Sequence, residues 1–417
     1  MVLMLKGNVL IAQSGGPTPV INASLVGAIK EARSRECIAH MYGSLNACEG
    51  MLKQDNSGLV DLFAQGYEEL EAIVRTPSAA LCSSRKKLVT EDKNGKGKTI
   101  LVRDVLDAIK RLDVRYFFYI GGNDSADNCR QVNEEAMRQG YALRAFHIPK
   151  TIDNDLLEND HTPGYGSAAK YVACAFIGDD LDNLALPGVK INVVMGRNAG
   201  FLVGAAALAK ARNCSRENDG PHLIYFPERE FKIDKFLADV AEVYSKNKRA
   251  LIAVSEGIVG GDRVPIGFNG KYDGHGNHEL DGILVAQRLA KAVAESGITS
   301  RVRADVLGYI PRSFPLTVPA QDFNEAELVG REAVRAAVLG EYESGSIALK
   351  RQRGREYRVY TKVVGLEKVA KNTRKMPDEF INADGNNVTR AFLDYASPLV
   401  GELPATGRLK MIPVIID

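Results

Sequence analysis

A chain of 417 residues is too long for one ordinary core and reads as two domains, with a small-substrate site expected at a cleft between them. Its 54 basic residues offset 52 acidic ones to leave a formal charge of +2, and 45% hydrophobic with 25% charged residues is ordinary globular composition, so neither nucleic acid nor a membrane is indicated as a partner. Six cysteines include no C-x-x-C pair and the N-terminal apolar run is too short for a signal sequence, so a cytoplasmic protein with reduced thiols is expected.

Short β-rich runs alternate with helical patterns along most of the chain, the signature of an α/β fold with a parallel sheet covered by helices on both faces. Strands are predicted at 8–14, 116–121, 145–148, 191–195, 222–226, 250–255 and 302–310, continuous apolar runs of the kind a doubly covered sheet demands. Amphipathic spacing predicts helices at 233–247 and 281–296. Residues 347–368 alternate polar and β-favouring side chains around a basic stretch at 350–358, which predicts a hairpin with the basic run facing solvent.

Three of these strands run into glycine turns followed by helical patterns: Ser14-Gly15-Gly16-Pro17, Gly121-Gly122-Asn123-Asp124-Ser125 and Met195-Gly196-Arg197-Asn198-Ala199-Gly200. Ligands of an open parallel sheet sit beyond the carboxyl ends of its strands, and a glycine turn lets the N–H groups of a helix N-terminus approach an anion. Three such turns imply more than one phosphate group. Gly97-Lys98-Thr99 resembles the end of a P-loop, but Asp92 and Asn94-Gly95-Lys96 stand where the phosphate cradle belongs, so a charged surface turn is expected there.

Pro149-Lys150-Thr151-Ile152-Asp153-Asn154-Asp155 places carboxylates, an amide, a hydroxyl and an ammonium directly after a buried strand. A strand-end loop with that chemistry usually faces a ligand; the alternative is a capped turn in which Asp153 or Asp155 accepts backbone N–H bonds.

Taken together, Gly15-Gly16, Gly121-Gly122-x-x-Ser125, Pro149-x-Thr151-Ile152-Asp153-Asn154-Asp155, Met195-Gly196-Arg197, Glu256 after a strand, and Leu307-Gly308-Tyr309-Ile310-x-Arg312 resemble the successive motifs of the phosphofructokinase family, in that family's order, from about Asn8 to Arg312. The resemblance implies two doubly wound parallel-sheet domains. Residues 1–160, completed by part of 310–375, would bind the phosphoryl donor; 161–310, completed by 376–417, would bind a sugar phosphate. It further implies Mg2+ as cofactor and a homodimer.

By the same resemblance Asp153 is the base facing the sugar 1-hydroxyl, Thr151 stabilises the transferring group, and Arg197 belongs to the catalytic set. Met195, Gly196, Arg197, Glu256, Arg303, Tyr309 and Arg312 would hold fructose 6-phosphate or a related sugar phosphate; Tyr309 stands where bacterial ATP-dependent members commonly have histidine. Gly15, Gly16, Arg85, Gly122, Asp124, Ser125 and Lys150 would hold the donor, with Asn123 and Asp124 at the metal. Asp124 and Lys150 replace glycines of the ATP-dependent members, adding bulk and charge unfavourable to a nucleotide. Those exchanges resemble the pyrophosphate-dependent branch; an ATP-dependent kinase and a non-catalytic sugar-phosphate-binding subunit are the alternatives.

Overall fold

The computed structural model describes residues 5–91, 99–210, 216–272, 278–352, 354, 356–410 and 412–413. The P-loop-like stretch ahead of Thr99 and Cys214 lie outside these residues. The chain divides into two compact units, one made of Met1–Tyr171, Met195–Leu202 and Leu307–Pro377, the other of Val172–Val194, Val203–Val306 and Asp378–Asp417. Residues 161–171 and 195–202, expected in the second domain, thus belong to the first. Local bonds explain it: Asp322 accepts from Gly164 N, Ser167 N and Ser167 Oγ at 2.5–2.8 Å, and Tyr165 donates to Phe201 O at 3.0 Å.

The first unit is built on a seven-stranded sheet in the order Val359–Val364, Ser344–Arg351, Arg144–Pro149, Val114–Gly121, Gly7–Gln13, Ile38–Ser44, Leu59–Asp61. Its five inner strands are parallel, and an antiparallel strand closes each edge. Both faces are covered, so alternate residues of one strand enter different cores. Tyr116, Phe118 and Ile120 lie in one cluster with the helices Ile21–Arg33 and Ala320–Leu339; Phe117 and Tyr119 lie in another with Val102–Arg111 and Asn123–Arg138. The first helix pair meets at glycines: a Cβ on Gly27 would stand 2.3 Å from Glu327 O, and one on Gly330 2.0 Å from Ser24 O.

The second unit has a four-stranded parallel sheet in the order Val302–Val306, Val189–Val194, Ala250–Ser255, Leu223–Tyr225, with Phe236, Val240, Val285 and Leu289 of the helices Ile233–Asn247 and Gly282–Glu295 in its core. The strand predicted at 302–310 stops at Val306, because Gly308 turns the chain at φ 57° into the short 3-10 helix Ile310–Arg312. The hairpin expected within 347–368 is Ser344–Arg351 against Val359–Val364. Its basic run is not simply solvated, since Arg351 Nε donates to His161 Nδ1 at 3.4 Å; residues 353 and 355 lie outside the described set.

Candidate active site

The chain leaves Gly7–Gln13 for Ile38–Ser44 on one side of it and later returns to Val114–Gly121 on the other. The strand order therefore reverses between Gly7–Gln13 and Val114–Gly121, and a crevice at such a switch point is where an open α/β sheet binds ligands. Gln13 pairs with Ile120, and Ile120 with Ile148, so three adjacent strands end in one row. The turn at Gly15, the helix at Asn123 and the loop from Lys150 all start from this row. Ser14 N donates to Ile120 O and Lys150 N to Gly121 O, each at 2.9 Å, which joins the three exits.

Gly15 has φ 76°, a conformation open to glycine, and its N–H donates to Ser84 O at 3.2 Å while Ser83 Oγ donates to Gly15 O at 2.6 Å. This brings the segment of Arg85, itself exposed, beside the turn. Two residues outside the expected set hold that segment: Gln13 Nε2 donates to Asn22 Oδ1 at 2.9 Å, and Gln13 Oε1 accepts from Leu81 N at 2.8 Å. Gln13 and Asn22 are fully buried amides with local partners, and a glutamine directly after the apolar run 9–12 was the one available signal.

Asn123–Arg138 starts at Gly122, with exposed Asp124 and buried Ser125 in its first turn, where N–H groups lack intrahelical acceptors. Gly121 leaves room for Ser125, because a Cβ there would lie 1.9 Å from Ser125 Oγ and the helix start would have to shift. Its carbonyl also accepts from His147 Nε2 at 2.9 Å, and His147 Nδ1 meets Ser346 Oγ at 2.8 Å. Complete burial holds the His147 pKa down near 4, so the ring is neutral and Nδ1 accepts from the serine hydroxyl.

Lys150 is 3% exposed and its Nζ donates to Gly16 O. Burial lowers its pKa to about 7, with Arg312 adding to the depression and Asp153 opposing it. A Cβ on Gly16 would be 3.1 Å from the Arg312 guanidinium carbon, so Arg312, expected at the sugar phosphate, stands against the glycine turn with Lys150; its guanidinium lies 4.6 Å from the Tyr309 ring centre.

Asp153 N–H donates to Thr151 Oγ1 at 3.1 Å, but its carboxylate Oδ1 is shielded from solvent and has no hydrogen-bond partner. The capped-turn alternative therefore does not describe this oxygen. Burial raises the Asp153 pKa, and the charges of Arg312, Lys150, Arg197 and Arg85, in that order, pull it down. Asp155 is raised to about 7, by burial first and the neighbouring Asp153 second. Met195 is buried, Gly196 turns at φ 135° and Arg197 is half-buried, its charge reaching Asp153.

Glu256 and Arg303 belong to the second unit. Glu256 N donates to Val194 O at 2.9 Å, and exposed Arg303 pairs in register with Lys190. Among the described residues no group of three or more histidine, cysteine, aspartate or glutamate side chains is placed to hold a metal.

A carboxylate with an unused lone pair, ringed by one lysine and three arginines at converging glycine turns, suits a reaction that moves a polyanionic group to a hydroxyl. The class defined is a two-unit α/β phosphotransferase. A family model described as Phosphofructokinase matches residues 8–337, and the chain belongs to that family. It is 45% identical over 98% of its length to a pyrophosphate--fructose 6-phosphate 1-phosphotransferase of Rhodospirillum rubrum, 98% of which is covered, and 35% identical over 95% to that of Halomonas elongata, with 92% covered. A crystal structure of a pyrophosphate-dependent phosphofructokinase from Nitrosospira multiformis matches 98% of this chain and 95% of its own, at 31% identity and a TM-score of 0.81.

Proposed function

We propose that the chain transfers a phosphoryl group reversibly from pyrophosphate to the 1-hydroxyl of fructose 6-phosphate, giving fructose 1,6-bisphosphate and phosphate. The observation that carries this reading is the buried Lys150 ammonium on the carbonyl of Gly16, at the turn where a donor's phosphates are expected. A compact, highly charged donor gains most from a desolvated cation there, and the lysine takes up space that a nucleotide's phosphate chain needs. Full-length relatives at 35–45% identity named for pyrophosphate support the same donor.

In this reading the acceptor oxygen attacks phosphorus, the bond to the leaving phosphate breaks, and the hydroxyl proton passes to Asp153. A pKa raised by burial brings that carboxylate closer to the operating pH, which favours it as a base. Thr151 and Arg197 steady the transferring group. Gly15, Gly16, Arg85, Gly122, Ser125 and Lys150 bind the donor. Met195, Gly196, Glu256, Arg303 and Tyr309 are assigned to the sugar phosphate by the family pattern, with Arg312 between the two phosphates.

Mg2+ fits as a partner of the donor. The ion keeps most of its waters and leans on substrate phosphates, so one or two side chains suffice; Asn123 and Asp124 in the first helical turn are the candidates. When bound it would neutralise charge on the phosphoryl oxygens. A cytoplasmic homodimer completes the proposal.

A matrix of pyrophosphate and ATP against several sugar phosphates, run in both directions, tests it. Turnover with pyrophosphate and fructose 6-phosphate is expected. Efficient use of ATP with none of pyrophosphate would overturn the reading.

A further inference from the structure

The loop after Lys150 is an unusual support for a reacting group. Asn154 and Glu158 hold φ values of 59° and 61°, a region non-glycine residues rarely adopt and keep only where the surroundings over-determine it. Asp153 Oδ1 has no hydrogen bond to aim it, so beside the surrounding cations the backbone on which the side chain rides governs its direction.

A residue from far along the chain grips that backbone. Arg374 donates from Nη2 to Asn154 O at 2.9 Å, and from Nη1 to Asn159 O at 2.6 Å and Asp160 O at 3.0 Å. Its own N–H donates to Asp155 O at 2.7 Å, and Thr373 forms an antiparallel bridge with Leu156. The guanidinium lies 4.6 Å from the ring centre of Phe201, four residues after Arg197, and the Phe201 carbonyl is tied to Tyr165. One planar fork thus binds both limbs of the loop and stacks on the segment that follows Met195-Gly196-Arg197. A rigid multi-donor plane does this; a point-charge ammonium cannot reach three carbonyls in the same geometry.

We propose that Arg374 is a positioning residue for phosphoryl transfer, fixing the Asn154–Asp155 peptide, one residue beyond Asp153, so that the Asp153 carboxylate faces the acceptor hydroxyl. This rests on the role of Asp153 under the proposed function. Releasing the Asn154 carbonyl lets the adjoining peptide plane rotate, and a displacement of about 1 Å at a reacting group lowers rates on the order of 100-fold. Arg374 acts through the loop rather than on either substrate, so the effect belongs to kcat.

The test compares wild type, Arg374→Ala, Arg374→Lys and Asp153→Asn with pyrophosphate and fructose 6-phosphate, alongside thermal melting and calorimetric binding of fructose 6-phosphate. The expected result is a fall of about 10- to 100-fold in kcat for Arg374→Ala, with both KM values within about 3-fold of wild type. Arg374→Lys should fall between, and methylguanidinium should restore part of the kcat of Arg374→Ala but none of that of Asp153→Asn. A kcat within about 3-fold of wild type, a loss confined to KM, or a folded variant that methylguanidinium leaves unchanged overturns the proposal. If Arg374→Ala does not fold, Arg374→Lys decides, and full turnover there is the overturning result. A fully active Asp153→Asn instead overturns the role of Asp153, whatever Arg374 does.

Discussion

The Lys150 ammonium donates its hydrogen bond to the carbonyl oxygen of Gly16, so the charge proposed to set donor choice is built into the glycine turn itself. Both residues leave the same row of strand ends, and neither needs the donor to find the other.

The pH dependence of donor use follows from that contact. In the free enzyme, burial lowers the Lys150 pKa from 10.5 to about 7, so the ammonium is lost as pH rises through neutrality. The kcat/KM for pyrophosphate should fall above about pH 7, and Lys150→Arg, whose cation does not titrate there, should lack that limb. Stability moves the other way. Between the folded value and the higher unfolded one the unfolded chain binds the extra proton, so the Lys150 contribution to stability rises with pH across that window. Matched pH–rate profiles and melts of the two proteins check both signs.

Asp153→Asn keeps the shape of the loop and removes the proton acceptor. Turnover should drop about 100- to 10,000-fold, the usual range for a general base, while calorimetric affinity for fructose 6-phosphate changes little. A variant with near-normal turnover would place the base elsewhere.

Donor choice should yield to two exchanges made together. Asp124 is exposed in the first turn of Asn123–Arg138 and Lys150 is buried at the Gly15-Gly16 turn, so glycine at both positions removes bulk and charge from two places in the proposed donor site. Asp124→Gly with Lys150→Gly should raise the KM for pyrophosphate and admit ATP binding, read by calorimetry with each donor. Unchanged use of pyrophosphate by the double variant would remove both residues from the account of specificity.

What the sequence displayed was local. Glycines after apolar runs marked three turns at strand ends, and the density of polar groups at 149–155 marked the loop that leaves the same row of strand ends, because strand endings and turn chemistry are written in neighbouring residues. What it hid was long-range. The strand Ile38–Ser44 carries no continuous apolar run and is partly exposed, so periodicity passes over it. Nothing near Arg374 predicts a partner 220 positions away at Asn154, and nothing near His147 points to Ser346. The family resemblance led to the expectation of Arg312 at a phosphate but not to its place beside Gly16, since that contact depends on how residues 307–312 return to the first unit.

Gly121 offers a test of the site's geometry that leaves its charges alone. An alanine Cβ there would lie 1.9 Å from Ser125 Oγ and 2.4 Å from Ser125 Cβ. The strand cannot give way easily, because Gly121 pairs with Pro149 and its carbonyl accepts from Lys150 N and His147 Nε2. The start of Asn123–Arg138 must move instead, carrying Asp124 and Ser125 away from the donor. Gly121→Ala should lose about 1–3 kcal/mol of stability, typical of overpacking, and raise the KM for pyrophosphate more than that for fructose 6-phosphate. Gly178 is the control: it is exposed inside Tyr165–Ala185 with open space where an alanine Cβ would stand, so Gly178→Ala should leave kinetics untouched and stabilise the helix by about 0.5–1 kcal/mol. Chemical denaturation and steady-state kinetics on the pair separate displacement of the helix start from any general effect of filling a glycine.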